Sequence, residues 1–124
     1  MTELNNTRKN SRKTGAAYEQ TAFTYLTNNH VWIMERNFRC RFGEIDLIGR
    51  DGDYLVFFEV KYRANAKSGL PEEAVGYNKQ KNICKVADYY RMKKGIGDNT
   101  PMRFDIIAIC GNRLTWYKNA FPYL

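Results

Sequence analysis

The sequence predicts a single α/β domain in which two helices flank a mixed central sheet. Two apolar runs, 45–48 and 55–60, are bounded by turn residues and indicate adjacent buried strands. A helical stripe of apolar residues within 72–94 separates the second run from another apolar strand at 102–110. A helix between two strands of one sheet predicts a parallel, right-handed crossover.

The composition favours a polyanion as the partner of this domain. The chain has 124 residues, enough for one domain with its own core, and a net charge of +7. Four basic residues against Glu3 give segment 1–14 a net +3, so the rest of the chain carries a modest +4. Three widely spaced cysteines without metal-site spacing predict a reducing, cytoplasmic location. No apolar run is long enough to span a membrane.

The order of elements follows from turn residues and periodicity. Segment 1–14 lacks apolar periodicity and predicts a flexible basic arm, either a solvated tail or a weak phosphate contact, ahead of a domain at 15–124. The predicted elements are a helix at 15–28, a strand at 31–41, a hairpin at 43–61, a loop at 64–72, a helix at 72–94, a strand at 102–110 and a last strand at Arg113–Lys118.

The hairpin places four charged residues on one face. A two-residue turn at Gly52-Asp53 would set Asp46 opposite Glu59 and Glu44 opposite Lys61. A turn one residue earlier would slide the pairing by two residues and keep all four on that face. One interpretation is an exposed ladder of carboxylates and lysine. The flanking apolar residues favour burial instead, where facing carboxylates repel unless a cation lies between them. A divalent metal with Lys61 beside it predicts a phosphodiesterase centre.

Glu19 is the one carboxylate within the apolar arc of the first helix. A charge in that position must be paired, capped or directed at a cation. Two explanations stay open from periodicity alone. Glu19 could form a salt bridge with Arg36 or Arg39, or it could be a third acidic group over the face that holds Asp46 and Glu59.

Short motifs spread along the chain form a recognisable set: Gly15 and Glu19, Asn37 to Arg39, Gly43 to Ile48, Phe57 to Arg63, Lys79-Gln80, Arg103 to Asp105, and Ala120-Phe121. Together they resemble the YraN-like family of small bacterial proteins, which are related to archaeal Holliday-junction resolvases and to the PD-(D/E)xK superfamily of restriction-endonuclease-like enzymes. Phe58 and Tyr62 stand where valine and threonine are commoner.

The resemblance implies a restriction-endonuclease-like α-β-β-β-α-β core and assigns roles to particular residues. Mg²⁺ or Mn²⁺ would be bound by Asp46 and Glu59, with the Val60 carbonyl as a possible third ligand. Lys61 would be the catalytic lysine, and Glu19 would match an acidic residue of the resolvases. The residues expected to contact nucleic acid are Arg39, Arg41, Arg63, Lys79 and Gln80.

The sequence therefore predicts a metal-dependent nuclease acting on DNA, with branched or repair intermediates as the expected substrates. The alternative is a non-catalytic nucleic-acid-binding or adaptor protein that keeps the nuclease fold. The modest charge and the absence of a visible base-stacking motif favour the alternative, whereas the full set Glu19, Asp46, Glu59 and Lys61 favours the enzyme. The assembly state is open between a monomer and a homodimer.

Overall fold

A computed structural model describes residues 2–63 and 75–124, with side chains from Gly15 onward. Its described elements, in order, are helix α1 (Thr2–Asn28), strands β1 (Trp32–Cys40), β2 (Gly43–Asp51) and β3 (Tyr54–Arg63), helix α2 (Tyr77–Lys94), and strands β4 (Met102–Cys110) and β5 (Arg113–Phe121). The predicted loop at 64–72 lies outside the described residues.

The five strands form one mixed sheet in the order β1-β2-β3-β4-β5. β3 and β4 are parallel, and the other neighbouring pairs are antiparallel. The parallel pair confirms the predicted parallel connection through α2, and its right-handedness stays a prediction. The architecture is α/β and consistent with a restriction-endonuclease-like core, as predicted.

Two apolar layers fix the helices on opposite faces of the sheet. On one face, Ala22 and Leu26 of α1 pack with Phe58 of β3. On the other face, Val86 and Tyr90 of α2 belong to a separate buried cluster. Every second residue of β3 enters each cluster, which explains why this strand is apolar almost throughout.

Three element boundaries differ from the predictions. α1 begins at Thr2 instead of at residue 15, so it includes the stretch predicted as an arm; the flexibility of that stretch stays a prediction. α2 begins at Tyr77 because Gly76 has an extended backbone, with φ −63° and ψ 162°. β5 continues past Lys118 to Phe121, whose ring stacks on Phe104 and is buried in the α2-side core. Burial of this ring explains the longer strand.

The described helices include none that is both long and apolar enough to cross a membrane.

Candidate metal centre

The site forms where β2 separates from β3. The predicted register holds from Asp51 opposite Tyr54 to Leu47 opposite Phe58, with the turn at Gly52-Asp53. The described ladder ends there, so it does not include the expected pairs of Asp46 with Glu59 and of Glu44 with Lys61. The first half of β2 instead continues to pair with β1, as far as Gly43 opposite Cys40.

A local rotation of β2 accompanies this separation. Side chains two residues apart on a regular strand point to the same face. Ile45 nevertheless packs in the α2-side core, whereas Leu47 packs in the α1-side core. The strand therefore turns about Asp46, which lies between them. The carboxylate oxygen Oδ2 of Asp46 accepts a hydrogen bond of 2.8 Å from the backbone N–H of Val60 on β3.

Three carboxylates meet at this point. Glu19 of α1 and Glu44 and Asp46 of β2 each offer an oxygen, and these oxygens all lie within 4.8 Å of one another. All three residues are half-buried. The arginines considered as partners of Glu19 are engaged elsewhere: Arg36 bonds to Gln20, and Arg39 forms an ion pair with Glu44. The structure thus brings Glu19 and Asp46 together, and adds Glu44.

Glu59 lies next to this acidic cluster and is paired with lysines. Its carboxylate is only 7% exposed. Its oxygen Oε1 is 3.0 Å from Nζ of Lys79 on α2 and 3.9 Å from Nζ of Lys61 on β3. Burial lowers the pKa of Lys79 and the Glu59 charge raises it, with a raised pKa as the net result. Glu59 is therefore a buried anion held between two cations.

The electrostatic environment acts most strongly on Asp46. Burial, and then the negative charge of Glu59, raise the pKa of Asp46 from 3.8 to about 7, against the lowering effect of the Val60 hydrogen bond. The charges of Glu19 and Glu44 make smaller contributions to this rise. An anion at Asp46 is costly because the surrounding field is already negative. A bound cation would remove that cost.

The donor set suits a hard divalent metal ion. Mg²⁺ and Mn²⁺ prefer oxygen ligands, and clustered carboxylates provide them. Carboxylates that come from a helix and from neighbouring strands, with a lysine at the margin, could bind a metal and a phosphate together. The metal-ligand and catalytic roles of Asp46, Glu59, Val60, Lys61 and Glu19 stay predictions.

The predicted nucleic-acid contacts lie in different surroundings. Lys79 reaches the site through Glu59. Gln80 donates a 2.7 Å hydrogen bond to the Val75 carbonyl, which steadies the start of α2. Arg39 is exposed and borders the acidic cluster through Glu44. The guanidinium of Arg41 covers the Phe42 ring at 4.7 Å. Arg63 ends β3 and is half-buried.

Two features near the site were missed from the sequence. Glu44 was noted only as a neighbour on the strand face, yet it completes the carboxylate cluster. Tyr62 stacks on Tyr18 with ring centroids 4.2 Å apart, and this aromatic pair flanks Glu19 and Lys61 in the chain. A side-chain hydrogen bond with Tyr62 is the largest cause that raises the pKa of Tyr18, and burial is the next.

A third missed feature is the fully buried Asp105 on β4. Its carboxylate accepts hydrogen bonds from the Arg103 guanidinium, from the indole N–H of Trp116 and from the backbone N–H of Asn119. These contacts span a register shift between β4 and β5 next to Phe104. Asp105 therefore has a structural role, which its presence in an Arg-Phe-Asp motif did not reveal.

The fold and the acidic centre define an α/β protein with a clustered-carboxylate site at a strand separation. The chain belongs to a family described as uncharacterised protein family UPF0102, whose model matches residues 18–109. This confirms the YraN-like resemblance; the relation to resolvases and PD-(D/E)xK enzymes stays a prediction.

Relatives of nearly the same length support this membership. A UPF0102 protein of Lachnoclostridium phytofermentans is 42% identical over 112 residues, covering 90% of this chain and 95% of the relative. One from Legionella pneumophila is 43% identical over 113 residues, covering 90% and 96%. One from Syntrophus aciditrophicus is 46% identical over 113 residues, covering 88% of each.

Proposed function

We propose that this protein is a Mg²⁺- or Mn²⁺-dependent nuclease that hydrolyses phosphodiester bonds in DNA, with branched or repair intermediates as substrates. The proposal is carried by one observation. The Asp46 carboxylate is partly buried among the carboxylates of Glu19, Glu44 and Glu59, and its pKa is raised to about 7. Strongly perturbed acids in an open site are typical of functional centres.

Each residue has a role in this proposal. Asp46 and Glu59 hold the cation, the Val60 carbonyl is a third ligand, and Glu19 approaches from α1. When bound, the metal polarises the scissile phosphate and lowers the pKa of a water molecule. Lys61, with its ammonium 3.9 Å from Glu59, stabilises the charge that develops on the phosphate. We extend the ligand set to Glu44 because its oxygen lies with those of Glu19 and Asp46.

Charge and cysteine chemistry support the partner and the location. The net charge of +7 favours a polyanion such as DNA. Cys40, Cys84 and Cys110 are all free thiols, which suits the cytoplasm.

A non-catalytic nucleic-acid-binding or adaptor role is the second candidate. The ion pairs of Glu59 with Lys79 and Lys61 favour it, because they neutralise this carboxylate without a metal. A folded protein could keep this arrangement for stability alone.

A Mn²⁺ titration of thermal stability is the first part of the test, because it asks whether Asp46 binds the metal. Binding to the folded state alone stabilises it by about 2.7 kcal/mol at a metal concentration of 100 times Kd. We expect this gain in the parent and its loss in Asp46→Asn. Asp53→Asn is the matched control, because Asp53 is an exposed carboxylate in the turn of the same hairpin. It should respond to Mn²⁺ as the parent does.

Cleavage of a labelled branched DNA in the presence of Mn²⁺ completes the test. The proposal expects cleavage by the parent and by Asp53→Asn, and none by Asp46→Asn. An equal melting response to Mn²⁺ in all three proteins would place the metal elsewhere. Metal binding at Asp46 without cleavage of any branched, duplex or single-stranded DNA would favour the non-catalytic role.

A further inference from the structure

A second functional feature lies between the β1–β2 turn and α2. We call it the turn–α2 groove; it has a volume of about 380 Å³. Arg41 and Lys85 contribute exposed cations, while Phe42 and Tyr89 present half-buried rings. The residues that line it are Arg41, Phe42, Lys85, Asp88, Tyr89 and Met92.

The turn–α2 groove continues into the candidate metal centre. Phe42 also lines a neighbouring cavity of about 290 Å³. That cavity extends to Glu44, which belongs to the carboxylate cluster, and to Lys79, which pairs with Glu59. A path lined by side chains therefore leads from the carboxylates, past Phe42, to the far end of α2.

The chemistry of the groove matches a nucleotide strand with unpaired bases. Proteins bind single strands by combining cations that follow the phosphates with aromatic rings on which bases stack. Arg41 already covers the Phe42 ring, so a cation and an aromatic face lie together. The acidic member, Asp88, accepts a 2.6 Å hydrogen bond from the Tyr123 hydroxyl, which partly satisfies its charge.

We propose that the turn–α2 groove binds the unpaired strand that flanks the scissile phosphate, with a base on Phe42 or Tyr89 and phosphates at Arg41 and Lys85. This inference rests on the proposed nuclease function, because the metal centre defines which end of the groove lies next to the cleavage point. It names a substrate class, DNA with a single-stranded segment next to the cleavage point.

The test is the affinity of a labelled oligothymidylate strand, with a duplex of equal length for comparison. It is measured in EDTA, so that no metal-dependent cleavage occurs. Phe42→Leu combined with Tyr89→Leu removes the rings and keeps apolar volume. The expected loss of single-strand affinity is roughly 5- to 150-fold, the range for one stacked base.

A charge variant guards against misfolding of the ring variant. Arg41→Gln combined with Lys85→Gln changes only exposed positions. The slope of log affinity against log salt should fall by about 1.4, because each phosphate contact to a single strand contributes about 0.7. Arg113→Gln combined with Lys118→Gln removes the same charge at exposed positions on β5, at the opposite edge of the sheet from β1, and should leave the slope near that of the parent.

Several outcomes would overturn the proposal. Equal losses in the groove and control variants would show that only overall charge matters. A loss confined to the duplex would contradict the unpaired strand. Altered self-association with unchanged strand affinity would assign the groove to a second copy of this chain. If the groove variants bind the single strand as the parent does, while Mn²⁺ binding and cleavage still depend on Asp46, the groove proposal is wrong and the nuclease proposal stands. If the strand binds through the groove but no DNA is cleaved, strand binding by the groove is supported and the nuclease proposal is not.

Discussion

Asp46→Asn should make the metal-free protein more stable at alkaline pH. In the folded state, burial and the charge of Glu59 raise the pKa of Asp46 from 3.8 to about 7. The introduced asparagine would carry no charge, and its side-chain oxygen could still accept the hydrogen bond from Val60 N–H that Asp46 accepts now. The substitution thus removes a costly anion and keeps its backbone contact.

The sign and size of the effect follow from proton linkage. The folded state retains a proton that the unfolded chain loses above pH 3.8. The folding stability that is linked to this proton is fully present below the unfolded-state pKa of 3.8, and it is lost as the pH rises through about 7. The difference corresponds to about 4 kcal/mol well above pH 7, and to roughly 2–3 kcal/mol between about pH 5 and about pH 8. This is a large fraction of a typical domain stability.

Urea unfolding of the parent and Asp46→Asn across this pH range measures the effect. The free-energy difference between the two proteins should grow in favour of Asp46→Asn as pH rises. Asp53→Asn, with its exposed position in the hairpin turn, should follow the parent. Parallel pH curves for parent and Asp46→Asn, or a variant that is less stable at about pH 8, would refute the electrostatic reasoning. Adding Mn²⁺ at alkaline pH should stabilise only the proteins that retain Asp46.

Two further predictions concern the other charged groups. Lys61→Met should fold and still bind Mn²⁺, because Lys79 remains 3.0 Å from Glu59. Its cleavage of branched DNA should fall by about 10²-fold or more. Unchanged cleavage per folded molecule would contradict a catalytic role. Asp105→Asn should lower the urea-derived free energy of unfolding by about 3–5 kcal/mol, because it removes the charge of a fully buried carboxylate that pairs with the half-buried Arg103 guanidinium. The control Asp98→Asn should cause no measurable change, since its ion pair with Arg91 is exposed at Asp98; equal effects would refute a structural role for Asp105.

Local chemistry explains why much of the fold was predictable from sequence. The turn at Gly52-Asp53 fixed the hairpin register as far as Leu47, because alternation along both strands leaves one pairing that buries the apolar residues. Gly95 has a left-handed backbone with φ 66° and ended α2 where expected. The end of β5 depended on Phe121 reaching a core built by distant elements, and no local signal encodes that contact.

The site was less predictable because it depends on a departure from regular strand geometry. Period-two reasoning placed Asp46 directly opposite Glu59, but β2 rotates at Asp46 and leaves β3 there. The rotation arises from packing of Ile45 and Leu47 into different cores, a tertiary effect. The proximity of Glu44 to Glu19 also depends on where α1 crosses the sheet. Residue types were therefore predictable, whereas the distances between them were not.

The division of charge within the site suggests how a metal could bind without unfolding its surroundings. Glu59 is paired with Lys79 and Lys61, while Glu19, Glu44 and Asp46 form the more negative half. A cation entering beside Asp46 would relieve repulsion in that half and compete with Lys79 for Glu59. The lysines would then be released toward incoming phosphate oxygens. Under the proposed function, the same ion pairs that stabilise the metal-free protein would supply the cations that meet the substrate.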